Sequence, residues 1–401
     1  MKRILAVIPT PTYGGPHNQA FRLYRPLLER GWEIIAVLPE EPGDGAARLA
    51  SAGMQVLKRP FHRLRKQLDP RYHLHYVRTF FTSLNDLRRL IGELGIDLVQ
   101  AHSIQNPLGA IAGDLEGVAV VWQLLSSLAP LPLKLATLPV LLRCADVAMS
   151  AGRRTAELHP GISLLKERLI PFYPPVDSAV FRPAGDEQPA CKARLGVPPD
   201  GLVVGALGIV NRFKAYETLA EAAALVLQQF PNAWFRILGS ASAANADYQA
   251  RLKMRIRKLG LQEDDRFKIL DPGVQAAELM RGFDIYISTS ITEGAPTSMI
   301  EAMATGLPAI ATRVGSVEEI VADGLSGMLV PPRRPDLTAQ AILQLIRDPD
   351  LRHTMGENGR RLALEKFELS ACLDAHLAAY EMALAHRLYR HSGHQRRLQG
   401  T

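Results

Sequence analysis

Short apolar runs alternate with longer amphipathic stretches along this chain, in two series separated by a proline-rich break. That alternation admits little besides parallel sheets flanked by helices. The runs at 3–8, 33–38, 96–101, 118–124 and 145–150 form the first series; those at 202–207, 233–238, 267–270, 284–289 and 309–311 form the second. Between them, residues 171–199 contain seven prolines and no clear periodicity, which reads as an interdomain linker. A chain of 401 residues is long for a single core, so two domains of about 200 residues are expected. The boundaries read as a first domain over 1–175, a linker over 176–200 and a second domain over 201–365. Each domain is an α/β doubly wound parallel sheet of the Rossmann-like kind. A long amphipathic helix over 366–388 and a basic, frayed tail over 389–401 complete the chain.

Cys144, Cys191 and Cys372 are odd in number, scattered and without Cys-x-x-Cys spacing. They point to a reducing compartment and away from a zinc site. Met1–Thr10 has the charge order of a signal peptide, but its apolar run is short and meets Pro9 and Pro11, so it reads as a first buried strand. Between Gly117 and Leu142 the only charge is Lys134. Gln123, Ser126, Ser127 and the prolines at 130, 132 and 139 interrupt that stretch before it reaches the length of a spanning helix. A strand followed by an apolar helical hairpin is expected there, with lipid contact as the lesser alternative.

Charge is concentrated in one place. The first 180 residues carry 21 Lys and Arg against 15 Asp and Glu, the rest 26 against 25, and residues 58–89 alone hold nine basic and two acidic. Phe61, Tyr72, Tyr76, Phe80 and Phe81 are interleaved with those basic residues. The composition suits a phosphate-bearing acceptor or an anionic membrane surface in preference to nucleic acid, with a plain solvated helix as the alternative. No Gly-x-Gly-x-x-Gly or P-loop occurs, which removes the common grounds for a dinucleotide or nucleoside triphosphate enzyme.

Glu293 and Glu301 lie eight residues apart in the stretch SITEGAPTSMIEAMA, residues 290–304. The preceding DIYIST reads as a buried strand, Gly294 and Ala295 as a tight loop, and Pro296 as the opening of a helix, where its missing N–H costs nothing. Gly306 and Pro308 end that helix. The helix N-terminus therefore faces the crevice at the strand's carboxyl end, where free amides and the helix dipole favour a phosphate. From the helix rise, the two carboxylates stand roughly 7 to 10 Å apart, enough to bracket a diphosphate and accept bonds from hydroxyls on either side. Small residues around them, including Ala302 and Ala304, allow close approach. Asp348-Pro349-Asp350 imitates a metal-binding Asp-x-Asp but lies between two helical stretches, so it reads as a turn and no metal is expected.

The Glu-x7-Glu stretch resembles the signature of retaining family 4 glycosyltransferases of the GT-B fold. The resemblance extends through AMATGLPAIATRVGSVEEIVADGLSGMLVPP (302–332) and DPDLRHTMGENGRR (348–361). Upstream, VVGALGIVNRFKAYETLAEAAALV (203–226), FRILGSA (235–241) and FKILDPG (267–273) are similar to the family pattern as well. It implies two Rossmann-like domains facing across a cleft, the second holding a nucleotide sugar donor and the first an acceptor, with a C-terminal helix that crosses back near Phe367.

The family's roles fall on named positions. Glu301 would take the ribose hydroxyls and Glu293 a sugar hydroxyl. The amides of Gly294, Ala295 and Thr297, around Pro296, would line the donor, with Thr297 and Ser298 on phosphate. Lys214, with Arg212, would neutralise the leaving diphosphate. This chain has Gly208-Ile209-Val210 where the family has Gly-Arg-Leu, and Ala215 where it has Gly, so Lys214 is the more direct match. Gly14 and Gly15 lie in the loop that the family places opposite the diphosphate, and His102 stands where the family keeps a histidine near the donor sugar.

The expected activity is metal-independent, cofactor-free transfer of a hexose or hexosamine from a UDP- or GDP-sugar to a hydroxyl on a sugar, lipid-linked or other acceptor. No nucleic acid partner is expected. The protein would be cytoplasmic, either free or held at the cytoplasmic face of a membrane. An epimerase on the same fold and a non-catalytic sugar-nucleotide-binding protein are the alternatives.

Overall fold

The computed structural model describes residues 1–62, 70–125, 129–240, 245–273 and 275–399, with backbone alone for 70–73 and 393–399. Arg63, Arg65 and Lys66 of the basic segment lie outside the described residues. The chain divides into two compact units, Met1–Pro175 with Leu369–Thr401, and Val176–Glu368.

The first unit is built on β1 (Lys2–Val7), α1 (Gly15–Glu29), β2 (Trp32–Pro39), α2 (Gly45–Ser51), β3 (Gln55–Arg59), α3 (Pro70–Glu93), β4 (Leu98–His102), α4 (Leu108–Leu115), β5 (Ala119–Leu124), α5 (Leu131–Cys144), β6 (Val147–Ala151), α6 (Arg153–Glu157) and β7 (Leu169–Phe172). The second contains α7 (Gln188–Arg194), β8 (Leu202–Leu207), α8 (Tyr216–Gln229), β9 (Ala233–Leu238), α9 (Ala246–Lys258), β10 (Phe267–Leu270), α10 (Ala276–Met280), β11 (Ile285–Ser288), α11 (Thr297–Ala304), β12 (Ala309–Thr312), α12 (Val317–Ile320), β13 (Gly327–Val330), α13 (Pro335–Arg347) and α14 (Pro349–Lys366). The final helix, α15 (Leu369–Gln399), returns to the first unit.

Both sheets are parallel and doubly wound. Their orders are β3-β2-β1-β4-β5-β6-β7 and β10-β9-β8-β11-β12-β13. The order reverses between β1 and β4 in the first and between β8 and β11 in the second, and such a switch point leaves a crevice at the strands' carboxyl ends. All ten runs read as strands from the sequence are strands, with ends shifted by a residue or two. The three strands missed, β3, β7 and β13, are all sheet edges. Edge strands need cover on fewer sides, so their burial is partial and their apolar signal weak.

Three expectations require correction. Residues 176–200 are part of the second unit: Pro189 sits in the first turn of α7, which it helps to start rather than exclude. Arg236, fully buried on β9, donates to the carbonyls of Leu195 (2.8 Å) and Gly196 (3.2 Å) just past that helix. In place of the apolar hairpin there is the one helix α5, with Pro132 in its first turn and Pro139 inside it. The basic tail continues as helix to Gln399, because its first turns are held by charge: Arg390 pairs with Asp114 (3.2 Å) and Asp146 (3.4 Å) on the body of the first unit.

Among the described residues, the first unit holds all the buried imidazole. His17, His102 and His376 are buried, and desolvation pushes their pKa values down to about 4, 3 and 4; burial lowers His159 too. An unfolded chain takes up these protons near pH 6.5, whereas the fold resists them until well below. Stability is therefore complete above pH 6.5 and is lost as pH falls toward 4, by at most about 1.4 kcal/mol per histidine per pH unit. The second unit contains only the exposed His353. Hydrogen exchange followed region by region between about pH 6.5 and 5 is expected to show the first unit loosening and the second holding. Equal loosening of both would show that these histidines do not set the acid limit.

Candidate active site

In the second unit, the loops leaving β8 and β11 at the switch point are stitched together. Ile291 N–H donates to the Phe213 carbonyl at 2.8 Å, and the Thr289 hydroxyl donates to the carbonyls of Lys214 (2.9 Å) and Ala215 (3.2 Å). On the other side, Ser316 N–H donates to the Gly294 carbonyl at 2.9 Å. Gly315, at φ 56°, passes so close that an added Cβ would stand 2.0 Å from the Glu293 carbonyl oxygen. The Glu293 loop is therefore gripped from both flanks.

That grip sets the chemistry. Lys214 Nζ donates to Glu293 Oε1 at 2.7 Å, and the buried Ser290 hydroxyl donates to the same oxygen at 2.7 Å. Lys214 reaches Glu293 by passing over Gly208, where a Cβ would meet its Cε at 2.8 Å. Tyr216 hydroxyl donates to the Gly208 carbonyl at 3.0 Å and closes the floor. Ala215, which starts α8, adopts the left-handed conformation (φ 47°, ψ 48°) with its methyl buried. Any residue but glycine is strained there by about 1 kcal/mol or more.

α11 begins at Thr297, with Pro296 as its cap and no side-chain bond to its first amides. The N–H groups of Thr297 and Ser298 thus have no partner within the helix. Glu301 lies on the second turn and is buried. Tyr286 of β11 connects the pieces: its hydroxyl lies 2.8 Å from Ser298 Oγ. Burial raises its pKa, and the charges of Glu293 and Glu301 add to that rise.

Lys214 thus meets Glu293, whose loop runs through Gly294, Ala295 and Pro296 into α11, the helix that carries Thr297, Ser298 and Glu301. Arg212 is exposed, with its guanidinium 4.8 Å over the Phe213 ring, so Lys214 is the cation on Glu293. Gly14, Gly15 and His102 lie in the first unit at its own switch point. Gly15 opens α1 with free space where a Cβ would stand. His102 ends β4, fully enclosed, 3.2 Å from Gln100 Nε2. Asp348 caps α14, accepting from Leu351 N–H at 2.8 Å, which gives the Asp-Pro-Asp motif a structural task.

The sequence reading missed Ser290, Tyr286, Tyr216 and Gly208. Gly208 had a signal, since it leads a loop that departs from its family pattern. The hydroxyls had none, because their partners are 3 to 12 residues away and defined only by packing.

Residues 187–362 match the family model for glycosyl transferases group 1. That match falls within the second unit. The chain is also 31% identical over 218 residues to a D-inositol 3-phosphate glycosyltransferase of Corynebacterium urealyticum, covering 53% of this chain and 51% of that one. A protein of the same name from Streptomyces bingchenggensis is 33% identical over 216 residues, covering 53% and 44%. The chain therefore spans about half the length of the relatives it matches.

Among solved structures, Anabaena HepE in complex with UDP superposes with a TM-score of 0.80 at 20% identity, over 95% of this chain and 100% of that one. Sucrose-phosphate synthase of Thermosynechococcus elongatus gives 0.77 at 20% identity, over 96% and 100%. These likenesses establish the fold: two parallel-sheet Rossmann-like domains of the GT-B class. Lys214, Glu293 and α11 all lie within the matched residues.

Proposed function

We propose that the chain is a retaining glycosyltransferase that moves a hexosyl or hexosaminyl group from a UDP- or GDP-sugar to an acceptor hydroxyl. The observation that carries this reading is Lys214 held on Glu293 at 2.7 Å, beside the unfilled amides at the head of α11 in the group 1 domain. An ammonium has three donors, so Lys214 keeps its bond to Glu293 while turning the others toward a diphosphate. The α11 amides and the Thr297 and Ser298 side chains receive phosphate oxygens from the other side. Glu293, fixed by Lys214 and Ser290, accepts from a sugar hydroxyl, and Glu301 accepts from the ribose.

In the reaction so read, the bond between the anomeric carbon and the diphosphate oxygen breaks, and the oxygen leaves with the electron pair. The acceptor oxygen bonds to that carbon from the same face, and its proton passes to the departing phosphate. Lys214 stabilises the charge that grows on the leaving group. No cofactor or metal is required. The acceptor is read as anionic or lipid-linked, which the basic excess over residues 58–89 supports. Relatives named for D-inositol 3-phosphate, a phosphorylated polyol, support an anionic hydroxyl acceptor.

The two carboxylates separate by experiment. Glu301→Ala is expected to weaken binding of the free nucleoside diphosphate, by about 1.5 to 3 kcal/mol for the lost charged hydrogen bond. Glu293→Ala should leave that binding near wild type and damage transfer. Calorimetry with UDP and GDP, paired with transfer assays, reads both. Wild-type nucleotide affinity in both variants would remove Glu301 from the ribose.

A further inference from the structure

The interior of the first unit holds amides where a parallel sheet normally holds aliphatic side chains. Gln100 on β4 and Gln123 on β5 are buried in central strands, and Gln19 on α1 is buried as well. A buried amide is destabilising unless its donors and acceptor are matched, so each needs partners. The partners here are imidazoles and a phenol. Gln100 and His102 alternate onto the same face of β4, and His102 stands in register with Gln123 of β5. Helix α15 packs on that sheet and brings His376 and Tyr380 to these glutamines.

The hydrogen bonds fix which ring nitrogen carries each proton. His376 Nδ1 lies 2.7 Å from the Cys372 carbonyl, which only accepts, so Nδ1 is protonated and Nε2 is bare. The amides of Gln19 (2.6 Å) and Gln123 (3.0 Å) donate to that bare Nε2. Among the described residues, Tyr380 has one hydrogen-bond partner, Gln100 Oε1 at 2.5 Å. A buried hydroxyl whose proton met no acceptor would be left unsatisfied, so Tyr380 donates and the Gln100 carbonyl accepts. The Gln100 amide nitrogen is thereby turned to His102 Nε2 at 3.2 Å, where its N–H can only meet a lone pair. His102 must then carry its proton on Nδ1. Burial keeps the ring neutral, with its pKa pushed down to about 3.

That N–H is unused by the fold. His102 Nδ1 is buried and without a hydrogen-bond partner among the described residues, and so is the side-chain amide of Asn106 in the loop that leaves β4. Ser103, which follows His102, sits in the left-handed region at φ 72°, held there by its N–H to the Gln123 carbonyl (2.9 Å) and by Trp122 Nε1 on its own carbonyl (3.1 Å). Backbone strain of this kind collects where ligands are held. We propose that Tyr380 and Gln100 are positioning residues that hold His102 as the neutral Nδ1–H tautomer, a fixed donor to an oxygen of a ligand bound by the first unit. In that state the ring is a donor and neither an acid nor a base. Neither His102 nor Asn106 brings charge, which suits a hydroxyl oxygen better than a phosphate. The purpose of the tautomer rests on the proposed transfer to an acceptor hydroxyl; its existence does not.

Heavy-nitrogen labelling of the histidine rings in the full chain, read by long-range proton–nitrogen correlation, reports the tautomer of each. His102 is expected as Nδ1–H at about pH 7 and unchanged at about pH 5, where an ordinary histidine is charged. Its signals are identified by their loss in His102→Asn. His376 and His159, whose Nδ1 atoms face carbonyls at 2.7 and 2.9 Å, supply references for the same form. Tyr380→Phe removes the proton that orients Gln100, and Gln100→Met removes the amide, so each should bring in an Nε2–H population of His102. Turnover in a transfer assay should fall about tenfold in Tyr380→Phe, with affinity for UDP and GDP unchanged. An Nε2–H tautomer in the wild-type chain overturns the proposal, whether or not the variants fold. So does a pure Nδ1–H signal in both variants, since the Tyr380–Gln100 pair would then not set it. Mixed tautomers at unchanged turnover overturn the donor role. The expected tautomers in a chain that transfers no sugar uphold the pair and fall on the proposed function alone.

Discussion

Lys214→Ala is expected to lower sugar transfer about 100- to 1000-fold, the usual scale for removing one preorganised charge-stabilising donor. The loss should fall on turnover, because in the proposed reaction Lys214 acts on charge that grows only as the glycosidic bond breaks. Arg212 is stacked on Phe213 and cannot replace it without moving. Lys214→Arg is expected to recover little: Cε of Lys214 runs close over Gly208, and a planar guanidinium needs more room. The same assay in excess EDTA should run as in its absence, since in the proposed reaction a lysine and a helix N-terminus take the place of a divalent ion. Full activity of Lys214→Ala would move the leaving-group role elsewhere. Loss in EDTA that magnesium or manganese restores would sink the metal-free mechanism.

The largest effect on stability is expected at Asp146. Its carboxylate is fully buried and accepts from Val120 N–H (2.9 Å), His386 Nδ1 (2.8 Å) and Arg387 Nε (2.8 Å), while Arg390 Nη1 stands 3.4 Å away. Asp114 shares the same cations, at 2.7 Å from Arg387 Nη1. Asp146→Ala leaves the buried Arg387 guanidinium without its main counter-charge, which costs about 3 to 5 kcal/mol. Whole domains are stable by about 5 to 15 kcal/mol, so the first unit should melt well before the second. Denaturant midpoints and proteolytic release of the C-terminal helix both read this. A change below about 1 kcal/mol would mean that packing, and not charge, holds the helix.

Legibility in the sequence followed burial. Nine central strands show as apolar runs because helices cover both faces of a central parallel strand; of the four edge strands only β10 shows, and β3, β7 and β13 do not for want of that cover. The helix bearing Glu301 was legible from its cap and its terminating Gly306, which here adopts φ 83°. Contacts among Lys214, Ser290 and Glu293 were not, because Lys214 and Glu293 are 79 residues apart and meet only through the packing of β8 against β11. Proline misled twice. At 132 and 189 it starts helices, where the sequence reading took it for a break. The helical tail was hidden for a further reason: its basic residues look solvated until Asp114 and Asp146, more than 240 residues earlier, are placed beneath them.

Since α15 completes the first unit, that unit is discontinuous in the chain, with Val176–Glu368 inserted between its two parts. The consequence concerns the order in which the protein is made. On the ribosome the second unit is synthesised whole and can close as soon as it emerges, at about 5 to 20 residues per second. The first unit, although its sheet is made earlier, must wait with Asp146 and the face of β5, β6 and β7 uncovered until α15 arrives. A nascent chain stalled near residue 368 would hold a finished second unit beside an unfinished first one, a species suited to chaperone capture. A stop codon soon after that point would yield the same half-made protein permanently.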